Sequence, residues 1–147
     1  MNIIFRKALT TEDISGCKFV DIQMGFTTDD KVFVKSTEDG RLLVAESGNQ
    51  IIGYIRYGYL WDDEVAVLQM IRVLPEERGK GVGRELVQSV EEVLKKHGVR
   101  QLLSSTDESN DNSYKFHKSL GFKECGDLDI NGDQLKEVFF KKILLDI

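Results

Sequence analysis

The stretch Leu74-Pro-Glu-Glu-Arg-Gly-Lys-Gly-Val-Gly-Arg84 places three glycines within five residues, between an apolar run and a helical pattern. The preceding segment, Val65–Val73, is apolar at nearly every position, which predicts a central strand buried on both faces. Pro75 ends that strand because proline lacks the backbone donor that a ladder needs. Apolar residues then recur at helical spacing, at Leu86, Val87, Val90, Val93 and Leu94. The stretch therefore predicts a tight connection from a central strand into a long helix.

The glycines of this connection predict an anion-binding turn. At the start of a helix several backbone N–H groups lack partners and the helix dipole adds partial positive charge, so phosphate binds there readily. Two common phosphate-binding patterns do not fit. A dinucleotide-binding pattern that starts at Gly79 needs a glycine where Arg84 stands, and a P-loop needs a hydroxyl residue directly after its Gly-Lys pair. The alternative is a structural turn whose glycines serve packing alone.

The rest of the chain predicts further strands and helices around this connection. A short strand at Phe5 precedes Thr10-Thr-Glu-Asp13, where a hydroxyl residue followed by acids is a helix-start signal. Residues 29–39 are too polar to place. The other predicted elements are strands over 42–45, 51–59, 99–105, 122–125 and 137–143, a helix over 110–120, and turns at Gly48-Asn49 and Asn131-Gly132. The predicted class is α/β or α+β, with a mixed sheet.

Composition and charge restrict the partners and the compartment. The 147 residues include 20 basic and 25 acidic side chains, for a formal net charge of −5. This charge disfavours nucleic acid and anionic membranes and is compatible with a cationic substrate. Cys17 and Cys125 lie in apolar segments and are expected to be buried thiols. We expect a single domain over residues 1–147 and a cytoplasmic location, because a signal-peptide layout and a membrane-length apolar run are both missing.

Two motifs together resemble a known family. The first is Arg-x-x-Gly-x-Gly, formed by Arg78, Gly81 and Gly83 after an apolar strand that proline closes. The second is Asn110-Asp-Asn-Ser-Tyr-Lys-Phe-His-Lys-Ser-Leu-Gly-Phe122, which is similar to the pattern Asn-x-x-Ala-x-x-x-Tyr-x-x-x-Gly-Phe. In this order they resemble the GNAT family of N-acetyltransferases, whose first motif binds the pyrophosphate of acetyl coenzyme A. The resemblance covers residues 65–122.

The resemblance implies a fold and a cofactor site. The fold is the acyl-CoA N-acyltransferase fold, a single α/β domain whose mixed sheet is flanked by about four helices. In this family the central strand pairs with pantetheine through its backbone, and the glycine loop seats the pyrophosphate. The implied cofactor-binding residues are Met70, Ile71, Arg72 and Val73 in the strand, Arg78, Gly79, Lys80, Gly81, Val82, Gly83 and Arg84 in the loop and helix start, and Asn110. The resemblance implies acetyl-CoA as co-substrate and no metal.

Acetyl transfer to an amine also needs a donor for the oxyanion and a proton for the departing thiolate. By resemblance, the oxyanion donor is a backbone N–H near Ile71 or Val73. The position of the family's thiolate-protonating tyrosine is occupied here by His117, and an imidazole can donate a proton or a hydrogen bond. Tyr114 is the alternative acid. A histidine that merely packs against the sheet is the other interpretation of His117.

The base and the acceptor are less constrained. Glu64 is a candidate base, together with its neighbours Asp62 and Asp63 in the turn before the central strand. A solvated turn explains the same three acids, and water-mediated deprotonation is an alternative. The acceptor is expected to depend on the first helices and on residues 57–64.

The predicted function is transfer of an acetyl group from acetyl-CoA to a primary amine, of a small molecule or of a protein, by direct attack. Two alternatives stay open: a catalytically inactive acyl-CoA-binding regulatory module, and a protein-interaction domain with a structural glycine turn. The expected partner is the amine acceptor, with neither nucleic acid nor membrane. A homodimer is left open.

Overall fold

The computed structural model describes residues 2–130, 132 and 134–146. The strands in this part of the chain are β1 (Ile3–Lys7), β2 (Leu42–Ser47), β3 (Gln50–Trp61), β4 (Val65–Val73), β5 (Gln101–Asp107), β6 (Lys123–Leu128) and β7 (Glu137–Ile143). The α-helices are α1 (Thr11–Gln23), α2 (Asp30–Glu38), α3 (Val82–Lys96) and α4 (Asp111–Ser119), and a 3₁₀ turn spans Pro75–Glu77. Among the described residues, no helix has both the length and the apolar character that crossing a membrane requires.

The strands form one mixed sheet in the order β1-β2-β3-β4-β5-β7-β6. β4 and β5 run parallel, with Val65 opposite Gln101, and α3 is the crossover between them. The β1–β2, β2–β3, β5–β7 and β6–β7 pairs are antiparallel. The predicted α/β class with a mixed sheet and the central position of β4 are therefore confirmed.

The chain divides into two compact units. The first unit holds the described residues up to 58 together with Gln69–Val93, and the second holds Tyr59–Leu68 and the described residues from 94 onward. In the core of the first unit the ring of Phe33 meets that of Tyr54 edge-on, with centroids 5.4 Å apart. Leu102 and Phe140 are fully buried in the second unit. The single-domain organisation stays a prediction.

α1 begins where the sequence predicts. Thr10 is its N-cap: the Thr10 hydroxyl accepts a hydrogen bond from the Asp13 N–H (3.1 Å), and the Asp13 carboxylate accepts one from the Thr10 N–H (3.3 Å). Arg6 donates two further hydrogen bonds to that carboxylate, at 2.8 and 2.9 Å. The Arg6 guanidinium holds the pKa of Asp13 well below its usual range. The start of α1 is therefore also its attachment to β1.

The predicted turn at Gly48-Asn49 is confirmed by positive φ angles, and a second left-handed glycine follows α3. Gly48 and Asn49 connect β2 to β3 with φ of 54° and 66°, the left-handed pair that a two-residue hairpin turn favours. Gly98 follows the end of α3 with φ of 75°, as in a left-handed helix cap.

The region that was too polar to place from sequence forms α2. Asp29 is the N-cap, and its carboxylate accepts a hydrogen bond from the Lys31 N–H at 2.9 Å. Phe33 and Ser36 are the buried residues of this helix. The Ser36 hydroxyl donates to the Val32 carbonyl. Because one of the two buried residues of α2 is polar, the sequence of this helix lacks a clear apolar period.

Other expectations need correction. β4 is not buried on both faces: Ala66 and Leu68 are buried, whereas Val65, Val67 and the segment after Leu68 are half-buried or exposed. Cys125 is exposed rather than buried, because β6 lies at the edge of the sheet and every residue of it is exposed. β5 begins and ends two residues later than predicted. Asn131 of the predicted last turn lies outside the described residues.

Candidate active site

The glycine loop lies between β4 and α3, in the first unit. Gly79 and Gly81 have φ of 78° and 83°, in the left-handed region that glycine adopts readily because it has no Cβ. Apart from the glycine itself and its two chain neighbours, no described atom lies within 4 Å of the point that a Cβ would occupy at either glycine. Open space therefore borders two stretches of bare backbone, which is the arrangement that close approach of a phosphate requires.

The start of α3 adds charge to this loop. The Gly81 carbonyl accepts a hydrogen bond from the Glu85 N–H at 3.0 Å, so the helical bonding begins at the last loop residue. Val82 is only 2% exposed and anchors the first turn in the core. The flanking Arg78, Lys80 and Arg84 are exposed. The N–H groups of a first helical turn lack intrahelical acceptors, and Arg78, Lys80 and Arg84 flank them in the sequence, with Lys80 also paired to Glu77 at 3.0 Å. The loop can therefore bind an anionic group.

The C-terminal part of β4 is only partly buried. Met70, Ile71, Arg72 and Val73 are all half-buried. The side chain of Arg72 points to other partners: it donates to the Asp21 carboxylate at 2.8 Å and stacks over the Phe26 ring, 3.9 Å from the centroid. Any contribution of Arg72 to a cofactor is therefore through its backbone.

Asp21 of α1 is a buried residue that sequence reasoning missed. It is 1% exposed and accepts hydrogen bonds from the Tyr54 hydroxyl (2.6 Å), Arg72 and the Thr28 hydroxyl. Burial acts to raise the pKa of Asp21, but the hydrogen bonds from Thr28, Tyr54 and Arg72 outweigh it and lower the pKa below its ordinary value. The charged carboxylate thus holds α1 and the segment after it against β3 and β4. An acid on the buried side of α1, next to Val20, was the available signal.

His117 of α4 lies in the core of the second unit. Its ring is stacked on Phe140, with centroids 4.5 Å apart, and Nδ1 lies 2.7 Å from the Ser113 carbonyl. A carbonyl can only accept, so Nδ1 carries the proton, and in the neutral ring Nε2 accepts from the Ser104 hydroxyl at 2.7 Å. Burial lowers the pKa of His117. Both ring nitrogens are thus hydrogen-bonded within the protein, and the acid role stays a prediction.

Tyr114, the alternative acid, contacts the same aromatic ring. Its ring meets Phe140 edge-on at 5.2 Å, and its hydroxyl donates to the Glu124 carboxylate at 3.1 Å. Partial burial and this hydrogen bond raise the pKa of Tyr114. The fold therefore brings His117 and Tyr114 together at Phe140, while the Tyr114 hydroxyl is directed towards Glu124.

The other candidates occupy solvent-exposed positions. Asn110 is the N-cap of α4, and its side-chain carbonyl accepts from the Ser113 N–H at 3.0 Å, a structural role that leaves its amide group for other contacts. Glu64 is exposed in the turn before β4, and its backbone carbonyl accepts from the Arg100 N–H at 3.3 Å. Within the described ranges, no group of three or more histidine, cysteine or acidic residues could hold a metal ion.

Replacement of His117 by Phe separates its structural role from the predicted acid role. We expect His117→Phe to lower the free energy of unfolding by about 1–3 kcal/mol, because the buried Ser104 hydroxyl loses its partner. Replacement of the exposed His97 by Phe is the matched control and should cost less. If the folded His117→Phe variant transfers acetyl groups at the full rate, the predicted acid role is wrong; a loss of about 100-fold in rate would support it.

Comparison with known proteins identifies the family. A model of the acetyltransferase (GNAT) family matches residues 10–122, which is most of the chain. The chain is 34% identical over 116 residues to an aminoglycoside N(6')-acetyltransferase type 1 of Acinetobacter genomosp. 13, covering 74% of the chain and 73% of that relative. The chain belongs to the GNAT family of acetyltransferases. It spans about half the length of several other curated relatives that it matches.

Solved structures share the fold over nearly the whole chain. A ribosomal-protein-alanine N-acetyltransferase from Brucella melitensis has a TM-score of 0.77 at 27% identity, covering 95% of this chain and 99% of that one. A protein from Salmonella typhimurium, solved with its cofactor acetyl-CoA, has a TM-score of 0.79 at 20% identity, covering 100% of this chain and 96% of that one. The acyl-CoA N-acyltransferase fold expected from the sequence is therefore confirmed.

Proposed function

We propose that this protein transfers an acetyl group from acetyl-CoA to a primary amine. The observation that carries the proposal is the loop between β4 and α3, where Gly79 and Gly81 combine positive φ with open space at the Cβ position. Membership of the GNAT family supports the same reaction. In the reaction the amine nitrogen bonds to the acetyl carbon, the carbon–sulfur bond breaks, and the amine proton leaves with the thiol or through water.

The residues of the first unit bind and orient the donor in this proposal. The N–H groups at the start of α3 and the exposed Arg78 and Lys80 hold the pyrophosphate. The backbone of Met70 to Val73 pairs with the amides of pantetheine, and an N–H near Ile71 or Val73 donates to the developing oxyanion. Acetyl-CoA supplies an activated thioester, so no metal is required. The same proposal assigns protonation of the departing thiolate to His117 or Tyr114. It assigns deprotonation of the amine to Glu64.

The acceptor and the cellular setting are part of the proposal. Amines of small molecules and of proteins both suit a reaction that needs only a neutral nitrogen nucleophile. A reducing, cytoplasmic compartment suits the free thiols Cys17 and Cys125, of which the second is exposed. The proposal takes the chain as a single catalytic domain without a nucleic-acid or membrane partner. A measurement of molecular mass in solution decides between monomer and homodimer.

Release of coenzyme A across a panel of amines tests the proposal. The wild-type chain should release free thiol from acetyl-CoA only when an amine is present. Binding of acetyl-CoA without release for any amine would instead support the inactive acyl-CoA-binding module. Absence of acetyl-CoA binding in calorimetry would contradict both and leave a protein-interaction domain with a structural turn.

A further inference from the structure

A pocket of about 460 Å³ lies in the first unit beside α2 and the strands β3 and β4. Its volume falls within the range of small-molecule sites. The side chains that matter for its chemistry are Lys31, Lys35, Arg41, Arg56, Tyr57 and Gln69. The pocket is separate from the glycine loop, whose residues do not line it.

The pocket is strongly cationic in a chain whose net charge is −5. Four of its lining residues are lysine or arginine, and none of the lining residues that the structure describes is acidic. Asp39 nearby compensates part of this charge, since it forms ion pairs with Arg41 and, at 3.4 Å, with Lys35. The charges of Lys31 and Arg56 remain outside those pairs. A concave, positively charged surface of this kind attracts anions.

Arg56 of β3 is the residue best placed to bind an anion. Its guanidinium is half-buried and donates one hydrogen bond, at 2.7 Å, to the side-chain carbonyl of Gln69. Because Gln69 is neutral, this contact orients the guanidinium without neutralising its charge. Burial lowers the pKa of Arg56, because a partly buried guanidinium loses part of its hydration. Arginine has five N–H donors in a planar fork, so a carboxylate or phosphate can be bound by the others.

The position of the pocket connects it to the transfer reaction. Gln69 directly precedes Met70, the first residue of the β4 segment assigned to pantetheine, and both belong to the first unit. A molecule bound by Arg56 and Lys31 therefore lies alongside the strand that orients the donor. Tyr57 also belongs to residues 57–64, on which the acceptor is expected to depend.

We propose that the acceptor is a small amine that also carries a carboxylate or phosphate group, and that Arg56 and Lys31 bind this group. The inference rests on the proposed N-acetyltransferase function. During turnover the new carbon–nitrogen bond forms at the amine of the same molecule, the carbon–sulfur bond of the thioester breaks, and the anionic group is unchanged. A polycation such as an aminoglycoside is repelled by this pocket, so the acceptor differs in charge from that of the aminoglycoside-acetylating relative.

Matched amine pairs test the assignment and its chemistry. An α-amino acid is compared with its own carboxamide, and O-phosphoethanolamine with ethanolamine, so that each pair differs in the anionic group. We expect the wild-type chain to acetylate at least one anionic member with a kcat/KM at least about tenfold higher than its neutral counterpart. The pair with the larger ratio tells carboxylate from phosphate. A higher kcat/KM for the neutral members or for an aminoglycoside would overturn the proposal.

The variant Arg56→Gln keeps a hydrogen-bonding side chain and removes the charge. It should raise the KM of the preferred anionic amine by about 10- to 100-fold, with the neutral amine and acetyl-CoA affinity unchanged. Lys31→Gln should act in the same direction, and Lys96→Gln at the exposed end of α3 is the matched control. An equal loss for both members of the pair would assign Arg56 a structural role only and contradict the proposal.

A failure of the proposed function has a different signature. If the chain releases coenzyme A with none of the amines of the wider panel, that function fails, and the pocket is then tested directly by calorimetry with the amino acid and O-phosphoethanolamine. If the chain acetylates other amines but neither anionic member of these pairs, only the anionic-acceptor proposal is overturned. Binding to the wild-type chain that Arg56→Gln abolishes supports the anion site. Absence of binding to the wild-type chain overturns it.

Discussion

The variant Gly81→Val is expected to weaken acetyl-CoA binding by about 100-fold, because the side chain fills the space that the pyrophosphate needs. The effect is large because a phosphate must come within hydrogen-bond distance of the bare backbone. The φ of 83° also imposes strain of about 1–2 kcal/mol on any residue with a Cβ. Calorimetric titration with acetyl-CoA measures the affinity, and thermal unfolding measures the strain.

Gly98→Val is the matched control for this experiment. Gly98 has φ of 75° and, like Gly81, no described atom within 4 Å of its Cβ position, but it lies after the end of α3 rather than before its start. The two variants should lose similar stability, while only Gly81→Val loses acetyl-CoA affinity. Equal affinities of both variants for acetyl-CoA would contradict the assignment of the loop to the pyrophosphate.

Asp21→Ala is expected to lower the free energy of unfolding by about 3–5 kcal/mol, the usual cost of removing one partner of a buried ion pair. Arg72, whose side chain is 11% exposed, would keep its charge without the carboxylate, and the Tyr54 hydroxyl would lose its acceptor. Chemical denaturation measures the loss. A loss of this size is a large part of the free energy of unfolding of an ordinary domain.

An exposed ion pair provides the control for Asp21. Asp30 pairs with Lys18 at 2.7 Å, but both side chains are largely in solvent, so Asp30→Ala should cost less than about 1 kcal/mol. Replacing Asp21 by Leu and Arg72 by Met together should cost less than Asp21→Ala, because no charge is then left buried. If Asp21→Ala proved as stable as Asp30→Ala, the buried cluster would not hold α1 to the sheet.

The buried ion pair of Asp21 and Arg72 also predicts a dependence of stability on pH. Hydrogen bonds lower the pKa of Asp21 in the folded state. The contribution of Asp21 to the free energy of unfolding is therefore complete above the unfolded pKa of about 4, and it is lost as pH falls through the folded pKa. Between these pH values the wild-type chain should lose more stability than Asp21→Ala.

The elements that follow local rules could be predicted from the sequence. Leu86, Val90 and Leu94 repeat at the spacing of one helical face, and all are buried in α3. Thr10 and Asp13 form their capping box within four residues of chain. The tight connection from β4 to α3 was also readable from its three glycines, of which Gly79 and Gly81 adopt positive φ and Gly83 lies in α3.

The features that depend on distant partners could not be predicted. Asp21 meets Tyr54 and Arg72 from 33 and 51 residues away, and nothing in its local sequence identifies either partner. Arg56 becomes part of a cationic pocket only when α2 lies beside β3 and β4. β4 reads as fully buried because apolar residues occupy both of its faces, although part of that surface stays accessible beside the proposed cofactor site. Local pattern thus predicts the proposed donor site, while the proposed acceptor pocket is formed only in the folded chain.

Transfer of an isotopically labelled acetyl group tests the central claim most directly. Acetyl-CoA labelled in its acetyl group is incubated with the wild-type chain and the best amine of the panel, and the products are analysed by mass spectrometry. Labelled amide and free coenzyme A are expected in equal amounts, and Gly81→Val should form about 100-fold less of both at subsaturating acetyl-CoA. Release of coenzyme A with the label recovered as free acetate, or an unlabelled amine after long incubation, would contradict the central claim.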